Sequence, residues 1–202
     1  MRKLVEKKIV LASHNAGKLR EIAELLVPYG IEVVSAGDLG LEEPAETEDT
    51  FAGNARIKAH FASENSGLPA FSDDSGITVD ALGGAPGVYT ADWAETDNGR
   101  DFPMAMTKVW KLLEAKNAPA PRTAAFNCTL CLAWPDGHDE VFDGRVNGQV
   151  VWPMRGKLGF GFDPVFLPDG ETETFGEMNP AKKHGMSHRA DAFRKLIDGC
   201  LA

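Results

Sequence analysis

Lys8-Ile9-Val10-Leu11-Ala12-Ser13 is a short apolar run that gives way at once to the polar stretch His14-Asn15-Ala16-Gly17-Lys18. Its length and lack of alternation read as a buried strand. Behind it Leu19, Ile22, Leu25 and Leu26 recur at helical spacing, and the pattern stops near Pro28 and Gly30. Ile31–Ser35 reads as a second strand. Thr50 can cap a helix running to about Asn65, closed by Gly67 and Pro69. A strand over Ala70–Ser72 follows. The order strand–helix–strand–helix–strand predicts an α/β fold with a mixed sheet, parallel in its first part.

Further along, Asp73-Asp74-Ser75-Gly76 carries a turn composition, and Ile77–Ala81 resumes strand character. Gly83-Gly84-Ala85-Pro86-Gly87 reads as a loop. Met106, Val109, Trp110 and Leu113 form one helical stripe. Thr123–Trp134 alternates as a long strand, turns at Pro135-Asp136-Gly137 and returns over Glu140–Val146 as a hairpin. Val150–Trp152 reads as one more strand. Phe193, Leu196, Ile197, Cys200 and Leu201 mark an amphipathic C-terminal helix with Ser187 as its N-cap. Repeats, low-complexity segments and linkers are absent from the sequence, so residues 1–202 are expected to form a single domain.

Composition narrows the function. The chain has 202 residues, 43% hydrophobic and 25% charged, within the range of globular proteins. Its net charge of −9 argues against a general nucleic-acid binder, which needs a basic face. No apolar run approaches the roughly 20 residues that span a bilayer, and Ile9–Ala12 is too short for a signal core. Three cysteines, Cys128, Cys131 and Cys200, suggest a reducing compartment, and a cytoplasmic protein is expected. Cys128 and Cys131 form C-x-x-C, but on a strand that separation puts the sulfurs on opposite faces. They are expected to be packing residues.

Several clusters could carry chemistry. Ser13-His14-Asn15-Ala16-Gly17-Lys18 lies between a strand and a helix start, where backbone N–H groups and the helix dipole favour an anion. It is not a P-loop: Ala12 stands where the first glycine should be, and Leu19 where Ser or Thr should follow the lysine. An ordinary polar cap is the alternative. Asp73 and Asp74, with Glu46 ahead of the Thr50 helix, are hard oxygen donors suited to Mg2+; a solvated turn is the alternative. Asn54 and Lys58 share a helical face, though a surface lysine would read the same. Gly159-Phe160-Gly161-Phe162-Asp163-Pro164 can offer an aromatic wall with close backbone approach, or be a bulged strand edge. Ser187 as a cap places His188 and Arg189 in a first helical turn. His184 and His188 have zinc spacing, but Gly185 and the cap between them argue against zinc. Few placed cations, an acidic cluster and an aromatic loop together suit a nucleoside polyphosphate.

These stretches resemble the inosine triphosphate pyrophosphatase family, whose members hydrolyse ITP, dITP and XTP. The matching segments are SHNAGKLREI (13–22), TFAGNARIKA (50–59), FSDDSGITVDALGGAPGVYTA (71–91), GFGFDP (159–164) and K-x-x-x-SHR (183–189), in family order. The resemblance implies an elongated, two-lobed α/β fold around a long mixed β-sheet, an active-site cleft between the lobes, and a homodimer. It implies hydrolysis of the purine nucleoside triphosphate at the α-phosphorus, to the monophosphate and pyrophosphate, with Mg2+ as cofactor. Ser13, His14, Asn15, Ala16, Gly17 and Lys18 match the triphosphate loop. Glu46 matches the metal-binding glutamate, with Glu42, Glu43 and Glu48 close by. Asp74 matches the metal-binding aspartate and proton acceptor, with Asp73 as a further ligand. Ser75, Phe160, Gly161, Phe162, Asp163, Lys183, His188 and Arg189 match substrate contacts. Position 162 is Phe where the family often has Tyr, so that hydroxyl is missing. A pyrophosphatase for other modified nucleotides and a non-catalytic nucleotide sensor are the competing readings; the crowded acidic cluster disfavours the sensor.

Overall fold

The computed structural model describes residues 1–13, 22–23 and 26–201. Its elements are β1 (Lys8–Leu11), β2 (Glu32–Ser35), α1 (Phe51–Ser66), β3 (Ala70–Val79), β4 (Glu95–Thr96), β5 (Gly99–Arg100), α2 (Phe102–Ala115), β6 (Thr123–Ala133), β7 (Asp139–Val150), β8 (Phe166–Pro168), α3 (Pro180–Met186) and α4 (His188–Leu196). Six strands form one mixed sheet in the order β2-β1-β3-β6-β7-β8, and β4 and β5 form a separate two-stranded ribbon. β1 runs parallel to β2, with Val10 opposite Val34, and parallel to β3, with Leu11 opposite Phe71. β8 is antiparallel to β7. The α/β class, with a parallel first part, is therefore as the sequence predicts.

The chain divides into two compact units. The first comprises Met1–Asp74, Thr129–Asp143 and Ala192–Ala202. Here α1 begins at Thr50, whose Oγ1 accepts the Gly53 N–H at 3.0 Å, and ends at Gly67, which takes φ 69° and donates its N–H to Ser63 O. The inner face of α1 is made of small residues: Ala55 and Ala59 pack with Cys131 and Ala133, and Ala62 with Val10 and Ala70. Small side chains let the helix backbone approach the strands, so even Asn54 and Lys58 on that stripe are buried.

The second unit comprises Ser75–Cys128 and Gly144–Asp191. Its core joins Ile77, Val79, Val109, Leu113, Phe126, Phe162, Phe166 and Phe175. Phe126 meets Phe166 edge-on at 4.6 Å and lies parallel to Phe175 at 6.0 Å. Trp110 stacks on Trp152 at 5.6 Å.

Three local expectations need correction. Asp73-Asp74-Ser75-Gly76 is not a turn but the middle of the ten-residue β3. That strand pairs with β1 at Ala70 and Phe71 and has β6 as its other neighbour, and its place inside the sheet overrides the local preference of Asp and Gly for turns. Residues 159–162 are not a strand edge. Gly159 and Gly161 take φ of 73° and 64°, a left-handed conformation that ends extended structure, and the chain passes into a 3-10 turn at Asp163–Val165. No strand covers 150–152 as a separate element, because β7 ends at Val150. All three cysteines are buried, without a disulfide.

Candidate active site

The carboxylate cluster lies in the first unit and is assembled by α1 and β3. Alternation along β3 turns Ser72 and Asp74 toward α1, where the Ser72 hydroxyl donates to Ala55 O at 2.6 Å. On α1, the Lys58 ammonium donates to Glu46 Oε1 at 2.5 Å and reaches Asp74 Oδ1 at 3.4 Å. Among Glu42, Glu43, Glu46 and Glu48, it is the Glu46 carboxylate that Lys58 meets. Asn54, one turn before Lys58, accepts the Glu48 N–H at 2.9 Å and so ties the acidic segment to the helix. Lys58 is 6% exposed, which rules out the surface-lysine reading.

One ammonium thus faces several carboxylates. Burial disfavours the Lys58 charge, but Asp74 and Glu46 outweigh it and hold the ammonium above its usual pKa. Asp74 is pushed up to about 6, first by burial and then by Glu46 and Asp73, against the pull of Lys58. Both partners of one ion pair shift upward: Asp74 because burial and the neighbouring carboxylates disfavour its charge, Lys58 because those carboxylates favour its own. Asp74 Oδ2 is buried and accepts no hydrogen bond among the described residues. Asp73 is buried as well.

These residues fit a divalent cation in their chemistry: hard oxygens, excess negative charge and a buried oxygen lacking a donor. Among the described residues, no three His, Cys, Asp or Glu side chains form a metal-ready group. Lys58 supplies the positive charge that the cluster holds.

The second cluster lies in the other unit. Ser187 Oγ accepts the Ala190 N–H at 3.2 Å, which caps α4 and places His188 and Arg189 in its first turn, as the sequence predicts. His188 is 7% exposed and stacks on Phe126 at 5.0 Å. Arg189 Nη2 donates to Ser75 Oγ at 3.4 Å, and its guanidinium lies 6.0 Å from the Phe160 ring centre. Lys183 on α3 donates to Asp163 Oδ2 at 2.5 Å and sits 4.9 Å from the Phe160 ring centre. The Phe160 ring is 63% exposed, whereas Phe162 is 1% exposed and packs edge-on against Phe102. The Phe162 ring therefore belongs to the core. Ser13 is half-buried at the end of β1, its N–H donated to Leu11 O. His14, Asn15, Ala16, Gly17 and Lys18 lie outside the described residues.

Lys58 and Asn54 are the residues whose weight the sequence understated. Their four-residue spacing on one helical face was the available signal.

The sequence model of the Ham1 family matches residues 9–199. The dITP/XTP pyrophosphatase of Ruegeria pomeroyi is 63% identical over 193 residues, covering 96% of this chain and 95% of that protein. The dITP/XTP pyrophosphatase of Rhizobium meliloti is 58% identical, covering 100% and 99%. Among solved structures, a HAM1 protein from Coxiella burnetii superimposes with a TM-score of 0.89 at 36% identity, covering 95% of this chain and 96% of its own. A nucleoside-triphosphatase / dITP/XTP pyrophosphatase from Mycobacterium abscessus gives 0.80 at 36% identity, with 94% and 98% covered. By sequence along nearly its whole length, and by fold, the chain belongs to the Ham1 family.

Proposed function

We propose that this protein hydrolyses dITP, XTP and ITP to the nucleoside monophosphate and pyrophosphate, clearing deaminated purines from the nucleotide pool. The observation that carries this reading is its full-length kinship with dITP/XTP pyrophosphatases. A soluble cytoplasmic homodimer with Mg2+ as cofactor is part of the same reading.

Glu46 and Asp74, which meet at Lys58, would hold the metal; Asp73, the neighbour of Asp74 on an extended strand, points to the opposite face of β3 and is withdrawn as a ligand. When bound, Mg2+ supplies polarisation of the phosphate oxygens and charge neutralisation. Asp74 accepts a proton from the attacking water, its Oδ2 being buried and without a donor among the described residues. Lys58 restrains the mutual repulsion of the carboxylates and keeps Asp74 aimed. The Ser13–Lys18 segment binds the polyphosphate and offsets charge on the leaving pyrophosphate. The exposed Phe160 ring offers a stacking face for the purine, and Arg189, His188 and the backbone N–H groups of Gly161 and Phe162 supply donors to its edge.

The test is to incubate the protein with dITP, XTP, ITP, GTP and ATP, with and without Mg2+, and to quantify pyrophosphate and orthophosphate separately. Pyrophosphate from the first three, dependent on Mg2+, is expected. ATP turnover equal to that of ITP, or orthophosphate as the first product, refutes the proposal.

A further inference from the structure

We infer that Asp163 and Lys183 are positioning residues that act on the substrate through Phe160, rather than contacts to its phosphates; this rests on the purine-triphosphate reading above. Asp163 is 2% exposed, and one of its oxygens is doubly engaged. Oδ2 accepts the backbone N–H of Phe160 at 2.7 Å and the Lys183 ammonium at 2.5 Å. The Asp163 backbone is committed too: its carbonyl accepts the Gly176 N–H at 3.0 Å, and its N–H reaches Phe160 O at 3.3 Å. The approach is so close that a Cβ on Gly159 would lie 2.0 Å from Asp163 Oδ2. At that position the missing side chain makes room for the carboxylate.

Lys183 completes the arrangement. Its ammonium lies 4.9 Å from the centre of the exposed Phe160 ring and 5.2 Å from that of Phe175, which is fully buried. The cation therefore links a surface ring to the core, and Asp163 neutralises it. An ammonium held by a buried carboxylate and two ring faces is a poor point charge for a polyphosphate. What it does is fix an otherwise glycine-flanked aromatic side chain. An exposed ring between two glycines would sample many orientations, and ordering it in advance spares that loss when a base stacks on it.

The experiment measures kcat and KM for dITP, and the inhibition constant of inorganic tripolyphosphate, on the wild type, Asp163→Asn, Lys183→Met, the double variant and Lys183→Arg. Either single change is expected to raise KM about tenfold or more with kcat within about threefold, and the double variant to be no worse than about twice the worse single. Tripolyphosphate, which has no base, should inhibit all of them within about twofold of wild type. Lys183→Arg should recover most of the KM. If Asp163→Asn does not fold, Lys183→Met decides the matter alone through KM and tripolyphosphate. Losses that multiply in the double variant, or a tripolyphosphate constant that rises about tenfold in Lys183→Met, overturn the inference and make Lys183 a phosphate ligand. Wild type is assayed first: a failure to turn over dITP refutes the purine reading and this inference with it, whereas an active wild type with the wrong variant pattern refutes only the inference.

Discussion

Lys58 on α1 and Asp74 on β3 meet ammonium to carboxylate at 3.4 Å, and Asp74 keeps its other oxygen buried without a donor among the described residues. The same ammonium serves Glu46 at 2.5 Å. The cluster is thus short of positive charge while folded, and that shortage has measurable consequences for stability and turnover.

Removing the cation should be costly. Lys58→Met leaves the buried Asp74 carboxylate unpaired, and breaking a buried pair of this kind costs ~3–5 kcal/mol. Urea unfolding at about pH 8 in chelator should register that loss, together with a strong fall in dITP turnover. A change below ~1 kcal/mol would mean that the pair is solvated and contributes little.

Asp74→Asn separates two roles. Turnover should drop at least ~10²-fold, since on the proposed function the change removes a metal ligand and a proton acceptor together. Stability should move the other way. The folded carboxyl titrates near 6 against an ordinary 3.8, so the folded state holds its proton more tightly. The wild type's stability on this account is fully present below the unfolded pKa and is lost as pH rises through the folded one. In chelator the Asn variant, which cannot ionise, should therefore gain on wild type from about pH 4 upward, by ~3 kcal/mol at most above about pH 6. An advantage that shrinks with rising pH contradicts this.

Asp139 should behave oppositely. Despite its partial burial, bonds from His60 at 2.9 Å and Arg56 at 3.1 Å keep its carboxyl below the usual range. Its contribution is present above the unfolded pKa and disappears as pH falls through the lowered folded value. Asp139→Asn should cost about 1 kcal/mol near pH 7 and progressively less in acid. Thermal melts across pH 3–7 check the sign; a cost that grows in acid would contradict it.

Arg189→Ala should relax base selection. Hypoxanthine and xanthine carry a carbonyl at the purine 6-position and adenine an amino donor, so a donor there opposes adenine. Buried mismatches of this type discriminate by up to ~10⁴. Comparing kcat/KM for ITP, XTP, GTP and ATP should show the ATP barrier falling more than the GTP barrier, because guanine keeps the carbonyl. Equal changes for both would assign Arg189 to phosphate.

Much of this was legible in the residues. Thr50 and Gly67 mark the ends of α1 by cap chemistry that depends only on local neighbours, and Ser187 does the same for α4. Asp74, Glu46 and Arg189 could be nominated because their types suit the chemistry. The extended path through Asp73-Asp74-Ser75-Gly76 was not legible: its cause lies in the neighbouring strands, not in the four residues. Nor was the burial of Lys58, which needs the facing strand to present a carboxylate at the right height. Phe160 and Phe162 look alike in sequence, yet one ring is exposed and the other is core, because left-handed glycines on either side of Phe160 redirect the chain.

That β3 runs straight through the aspartate pair makes chain length there a matter of phase. Side chains on an extended backbone exchange sides with each residue. Inserting or deleting one residue between Ala70 and Asp73 would bring Asp73 round to α1 and carry Asp74 away, with every atom of both carboxylates retained. The stretch can accept changes of residue type more readily than changes of count, and parity is the property that its backbone conserves.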